Sequence, residues 1–259
     1  MKRPLILITN DDGIAAPGIK ALIEVASEFG EVVVVAPDAP QSGKGHGITI
    51  SDPLRINSVS LFGDNIEAYE CSGTPVDCVK LAVHVPLKNR KPDLCLSGIN
   101  HGSNASINIL YSGTMSAAME AAMEGIPSIG FSLMDFSFDA DFAPAQIYIR
   151  KIIKFALEKP LKSGQLLNVN IPKLALEQIK GIKVCRQAKG HYTEEFAEAI
   201  DPRGQKYYWL TGVFVSEDER ADADIKALND GYISVVPSIF DLTDEATMRE
   251  IGGIEKNKL

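Results

Sequence analysis

The chain has 259 residues, a net charge of −8 and a pI near 5.1, with 26 Lys and Arg against 34 Asp and Glu. That length allows one large or two modest domains with a substantial core, and 45% hydrophobic with 23% charged residues excludes a disordered or fibrous chain. The acidic balance argues against polynucleotide binding, which needs basic surface to displace counterions, but admits a phosphorylated small molecule whose charge a bound cation balances.

Met1-Lys2-Arg3-Pro4 leads into a five-residue apolar run, too short for a signal-peptide core, and no stretch approaches the length of a membrane span. That run, Leu5 to Thr9, suits a parallel strand covered on both faces. Ile19, Leu22, Ile23, Ala26 and Phe29 recur at helical spacing until Gly30. Val32 to Val35 reads as a second strand, and Ile48 to Cys71 as short strands or a hairpin beside the main sheet. Thr74-Pro75-Val76-Asp77 has the pattern of a helix start: hydroxyl cap, proline, then an acid three residues after the cap.

Leu94 to Ser97 predicts a third buried strand, and Met115, Ala118, Met119, Ala122 and Met123 a helix whose methionines face the core. Strand Ser128 to Ser132, a helix through Ile149 to Leu157 and strand Leu166 to Ile171 follow. This alternation predicts an α/β fold, a doubly wound, mostly parallel Rossmann-like sheet. After Pro172 the rhythm changes. Lys206 to Val215 alternates as one strand, Ile225 and Leu228 suggest a short helix, and Tyr232 to Val236 a last strand. The expected division is a core domain over 1–172 and, over 173–259, a smaller C-terminal appendage with an extended arm and a final helix and strand returning to the core. Cys71, Cys78, Cys95 and Cys185 form neither C-x-x-C nor a disulfide framework, and read as reduced core thiols of a cytoplasmic protein.

Four polar loops follow predicted strands, where open parallel sheets gather ligands. They are Thr9 to Gly13 with adjacent Asp11 and Asp12, the glycine-rich Pro37 to Gly47 with Ser42, the amide-rich Ser97 to Asn104, and Tyr111 to Thr114 running into a helix N-terminus. Carboxylate, hydroxyl and amide oxygens select a hard cation such as Mg²⁺ or Mn²⁺, and a helix N-terminus suits an anion. A metal beside a phosphate site implies phosphoester hydrolysis.

On these residues the sequence resembles the SurE (survival protein E) family of metal-dependent nucleotidases. The likeness runs through Ile8 to Gly13, Ala16-Pro17-Gly18, Val35-Ala36-Pro37, Gln41-Ser42-Gly43, Ser72 to Pro75, Asp77-Cys78-Val79, Ser97 to Asn100 with Gly102 and Asn104, Tyr111 to Thr114 with Ala117, Ala118 and Glu120, Leu167 to Pro172 and Gly231 to Ser234. The resemblance implies one divalent cation per subunit on Asp11, Asp12, Ser42 and Asn100, which makes Asp11 and Asp12 catalytic through the metal. It implies substrate contacts from Asn104, Ser112, Gly113 and Thr114, and hydrolysis of nucleoside 5′- and 3′-monophosphates, with short polyphosphate in some members. It also implies a homodimer or homotetramer exchanging C-terminal segments.

Each of these residues has a plainer reading. Asp11 and Asp12 fit a turn, Ser42 a glycine loop, Asn100 a loop cap, and Ser112 and Thr114 a helix cap. Thr74 and Asp77 read as structural. His101 shows no partner in the sequence and is left outside the catalytic set. An aspartyl-phosphate phosphatase and a non-catalytic nucleotide sensor are the alternatives: the first should yield a trapped phospho-enzyme, the second should bind nucleotide without releasing phosphate. The adjacent carboxylates predict that, without metal, Asp12→Asn is as stable as the parent or slightly more so, by about 0.5–1 kcal/mol, because little else offsets their repulsion.

Overall fold

Every residue of strand β1 (Leu5–Thr9) is buried, and its side chains alternate between two apolar layers. Ile6 and Ile8 join one buried cluster, Leu5 and Leu7 another, as a parallel strand does when helices cover both faces. The computed structural model describes residues 3–193, 196–252 and 254; Met1 and Lys2 of the N-terminal reading, and the end of the expected appendage at 255–259, lie outside the described residues. From β1 the chain continues through α1 (Pro17–Ala26), β2 (Glu31–Pro37), β3 (Ile56–Ser58), β4 (Glu67–Cys71), α2 (Pro75–His84) and β5 (Leu94–His101). It goes on through α3 (Gly113–Met123), β6 (Ser128–Leu133), α4 (Ala143–Glu158) and β7 (Gln165–Ile171). The remaining elements are β8 (Ile182–Val184), β9 (His191–Thr193), β10 (Phe196–Ile200), β11 (Lys206–Leu210), β12 (Val213–Val215), α5 (Asp224–Asn229), β13 (Ile233–Ile239) and α6 (Glu245–Ile251).

A nine-stranded sheet has the order β3-β4-β2-β1-β5-β6-β7-β13-β8. All neighbours from β4 to β7 are parallel, while β3 and β13 run antiparallel to β4 and β7. Helices α1 and α4 cover the face carrying Ile6 and Ile8, and α2 and α3 the face carrying Leu5 and Leu7. This is the doubly wound α/β fold. The chain steps outward from β1 through β2 to β4, then returns to β5 on the other side of β1, so the crevice of this sheet opens between the carboxyl ends of β1 and β5.

Local chemistry sets the helix ends. Thr74 Oγ1 accepts from the Asp77 N–H at 3.2 Å while Asp77 Oδ2 accepts from the Thr74 N–H at 2.9 Å, a reciprocal cap with Pro75 behind it. Asp77 also accepts from the Thr49 backbone and hydroxyl, which confirms its structural role. Helix α1 stops at Ala26, short of Phe29, because Glu28 and Phe29 donate to carbonyls three residues back and tighten the turn before Gly30. Met115 is fully buried as expected, but Met123, in the last turn of α3, is 51% exposed and outside the core. All four cysteines are buried and free.

The stretch from Lys206 to Val215 is two strands, not one. It breaks at Thr211-Gly212, where Gly212 has φ 127°; β11 pairs with β10, whereas β12 pairs with β9. Further on, β13 inserts beside β7, and Asp224 ties this later part of the chain to the sheet end. Its fully buried carboxylate accepts from Ser106 N at 2.9 Å, Ala188 N at 3.0 Å and Ile225 N at 2.7 Å. Asp224→Ala would leave these donors buried and unpaired, and the expected loss is about 3 kcal/mol or more in a urea titration. A loss below about 1 kcal/mol would mean the three segments are held by packing instead.

Candidate active site and metal centre

Asp11 and Asp12 leave the end of β1 and enter the crevice. Asp11 is 3% exposed. Its carboxylate accepts the Thr114 hydroxyl proton, and Thr114 is the second residue of α3. Burial first, and the Asp12 charge second, push its pKa from 3.8 up to about 6, against the lowering effect of Thr114. Gly113 makes the approach possible: a Cβ there would sit 2.7 Å from Asp11 Cβ. Asp12 has a different partner. Its Oδ2 lies 3.1 Å from His101 Nδ1 and 3.3 Å from the His101 backbone N–H. This hydrogen bond, followed by the opposing cost of burial, leaves the His101 pKa raised. The Phe142 ring meets His101 edge-on, with centroids 5.3 Å apart.

The ladder between β5 and β6 shifts register between Ser97 and Asn100, a bulge that re-aims the end of β5. Gly98 sits there at φ 120°, and a Cβ would meet the Phe131 carbonyl oxygen at 2.3 Å. Asn100 Nδ2 donates to the Gly102 carbonyl at 2.9 Å, which assigns the amide and leaves Oδ1 as the atom available to a cation. The loop carrying Ser42 is docked by Gln41 N on the Asp11 carbonyl at 2.7 Å and by Gly45 N on the Tyr111 carbonyl at 3.2 Å. Ser42 itself is exposed. Behind it, His46 Nε2 lies 3.0 Å from Glu120 Oε2, whose other oxygen takes Lys80 Nζ at 2.6 Å.

Ser112 caps α3 through its oxygen, which accepts from Met115 N at 3.0 Å, so its capping role is met. Gly113 and Thr114 are buried against Asp11. The Asn104 side chain is tied on its nitrogen, Nδ2 donating to Ser132 Oγ at 2.8 Å, and its backbone carbonyl accepts from Asn168 Nδ2 at 2.9 Å. The His101–Asp12 contact, which spans 89 residues, has no spacing signal in the sequence. Neither has His46–Glu120, although Glu120 stands in a motif.

These donors fit a hard divalent cation. Thr9 Oγ1, Asn10 Oδ1 and Ser97 Oγ, at the same strand ends, are buried without a hydrogen-bond partner, and Asp11 has no cationic partner among its interactions. Among the described residues there is no cluster of three or more His, Cys, Asp or Glu side chains poised as a metal cage, so the fit rests on two carboxylates completed by neutral oxygens.

A carboxylate pair thus stands at the switch point of a doubly wound α/β sheet, beside a helix N-terminus. The model of the family described as Survival protein SurE matches residues 6–194. A 5′-nucleotidase SurE of Christiangramia forsetii is 58% identical over 99% of this chain and 98% of its own length. A second, of Flavobacterium johnsoniae, is 60% identical over 96% of each. The crystal structure of the SurE protein from Aquifex aeolicus superposes with a TM-score of 0.84 at 42% identity, over 97% of this chain and 100% of that one. The chain belongs to the SurE family.

The sequence-based expectation for Asp12→Asn changes here, since Asp12 already has a hydrogen-bond partner in His101 that the substitution would disturb; relief of repulsion belongs to Asp11. With a folded pKa above its unfolded value, Asp11 contributes most stability below about pH 4, and that contribution is lost as pH rises through about 6. In chelator, the parent should therefore lose about 1 kcal/mol between pH 5 and pH 7 relative to Asp11→Asn, read from urea titrations at both values. Identical pH slopes for the two proteins would show that Asp11 is ionised across the range.

Proposed function

We propose that this protein is a 5′-nucleotidase that releases phosphate from nucleoside monophosphates with one divalent cation, Mg²⁺ or Mn²⁺, held by Asp11, Asp12, Ser42 and Asn100. The carrying observation is Asp11: a buried carboxylate beside a second carboxylate, with no cation among the described residues to balance it. The names of the full-length relatives support the activity. The proposed range includes 3′-monophosphates and short polyphosphate, as the family resemblance implies.

The chemistry a bound divalent cation supplies is polarisation of the phosphate ester and activation of water. The chain's own residues arrange the rest. His101 fixes the orientation of Asp12, Thr114 that of Asp11, and the Gly102 carbonyl that of the Asn100 amide. The N-terminus of α3, with Ser112, Gly113 and Thr114, sets a positive dipole end beside the phosphate position and steadies its growing charge. Asn104 braces the same sheet end through Ser132 and completes the proposed substrate contacts.

We also propose a homodimer or homotetramer. The β10–β11 ribbon turns Trp209 and Leu210 outward at 64% and 75% exposure, an apolar surface suited to another subunit. No helix among the described residues is long and apolar enough to cross a membrane, and the buried free thiols favour the cytoplasm. The acidic balance favours nucleotides over polynucleotides.

Chelation should abolish phosphate release from AMP, and Mg²⁺ or Mn²⁺ should restore it; full turnover in metal-free protein would refute the reading. His101→Ala should weaken Mn²⁺ binding about 10- to 100-fold in titration calorimetry, as loss of an outer partner does. Light scattering at micromolar concentration should give at least twice the 28.0 kDa chain mass.

A further inference from the structure

After β6 the chain turns at Asp135 and crosses above the end of β5 before α4 begins. Two phenylalanines in this loop point away from every core cluster: Phe136 is 82% exposed and Phe138 81%. The loop holding them is fixed. Asp135, itself buried, accepts from Ser137 N at 3.0 Å and from the Ser137 hydroxyl, and pairs with Lys173 Nζ at 2.9 Å. The Met134 N–H donates to the Ile171 carbonyl, and the Ala140 N–H to the Ser137 carbonyl.

The loop also lies against the metal-site side of the sheet. A methyl group built on Gly102 would come within 2.3 Å of the Phe136 ring, so the ring rests on the Gly102 backbone. That same glycine accepts the Asn100 amide proton, and its neighbour His101 binds Asp12. Phe142, at the far end of the loop, packs on His101. One face of a pinned aromatic ring is thus open to solvent, while the ring rests on a glycine two residues along the chain from Asn100, a proposed cation ligand.

A nucleoside monophosphate carries its charge at one end and a flat aromatic base at the other. With the phosphate drawn to the carboxylates and the α3 N-terminus, the base needs an apolar face outside the charged crevice. We propose that Phe136, with Phe138 beside it, is a stacking platform for the substrate's base, and that these rings favour nucleotides over phosphomonoesters lacking a base. The proposal rests on the nucleotidase reading above and adds the residues that recognise the nucleoside. Stacking on a ring is tolerant of base identity, since every base has a π-face, so the platform selects for a base rather than for one base. Because the loop is already ordered, little conformational entropy is lost on binding.

The test compares AMP with ribose 5-phosphate, which lacks the base, at saturating Mn²⁺ in the full chain. Phe136→Ala, and more strongly Phe136→Ala with Phe138→Ala, should raise KM for AMP by roughly 5- to 100-fold with kcat nearly unchanged, as lost base stacking does. The kcat/KM for ribose 5-phosphate should stay at the parent value, and Phe136→Trp should keep the parent KM for AMP. Equal losses on both substrates, an unchanged KM for AMP in the double variant, or a change in subunit mass on light scattering would each overturn the platform. A parent protein that releases phosphate from neither compound would instead overturn the nucleotidase reading on which it rests.

Discussion

Two carboxylates on consecutive residues, at the end of a strand buried along its whole length, are the constraint around which the site is arranged. Burial and the neighbouring Asp12 charge together raise the Asp11 pKa. The chain separates the two environments. Asp12 faces His101 on β5, while Asp11 faces the first turn of α3. Both partners come from elements that the doubly wound topology brings beside β1, one from its neighbouring strand and the other from the helix layered on that sheet. The Ser42 loop then docks on the Asp11 carbonyl, so three separate segments meet at one short stretch of backbone.

Around these charges the support is neutral. Asn170 Oδ1 accepts from the Asn104 backbone N–H at 2.8 Å, Asn170 Nδ2 donates to Asn168 Oδ1 at 2.8 Å, and Asn168 Nδ2 reaches the Asn104 carbonyl. This buried network fixes the segment after β5 to β7 without adding charge beside the carboxylates. Connected amides in a low-dielectric interior strengthen one another and hold a single geometry. Asp224 extends the bracing to the later part of the chain through Ser106, so the segment between β5 and α3 is held from two directions.

The sheet was legible in the sequence because strands covered on both faces leave continuous apolar runs, of which Val32 to Val35 is the plainest. Helix starts were legible where a cap is local, as at Thr74. The candidate ligands stood out because unpaired acids, amides and glycines follow those runs. Their mutual contacts did not, since His101 and Asp12 are 89 residues apart and His46 and Glu120 are 74 apart, beyond any helical or strand period. The β10–β11 ribbon misled for another reason: all five residues of β11 are exposed, so no buried face marked where that strand ended and β12 began. Met123 shows the limit of helical spacing, which places a residue on a face but does not show that the face remains covered through the last turn.

Glu120 supplies the comparison that gives Asp11 its meaning. Both carboxylates are nearly inaccessible to water, and for both burial is the largest influence, pushing the pKa upward. Glu120 nevertheless ends below its ordinary value, because His46 and Lys80 donate to its two oxygens. Asp11 ends well above, because its partners are a hydroxyl and a backbone N–H and its nearest charge is another carboxylate. Around the same helix α3, the chain therefore sets the Lys80 ammonium against one buried acid and, among the described residues, no cationic side chain against the other. Folding alone would favour pairing both, since an unpaired buried charge costs several kcal/mol. Leaving Asp11 without a cationic side chain keeps the crevice open to an ion from solution, and that difference in treatment supports a cation site there and a structural tie at Glu120.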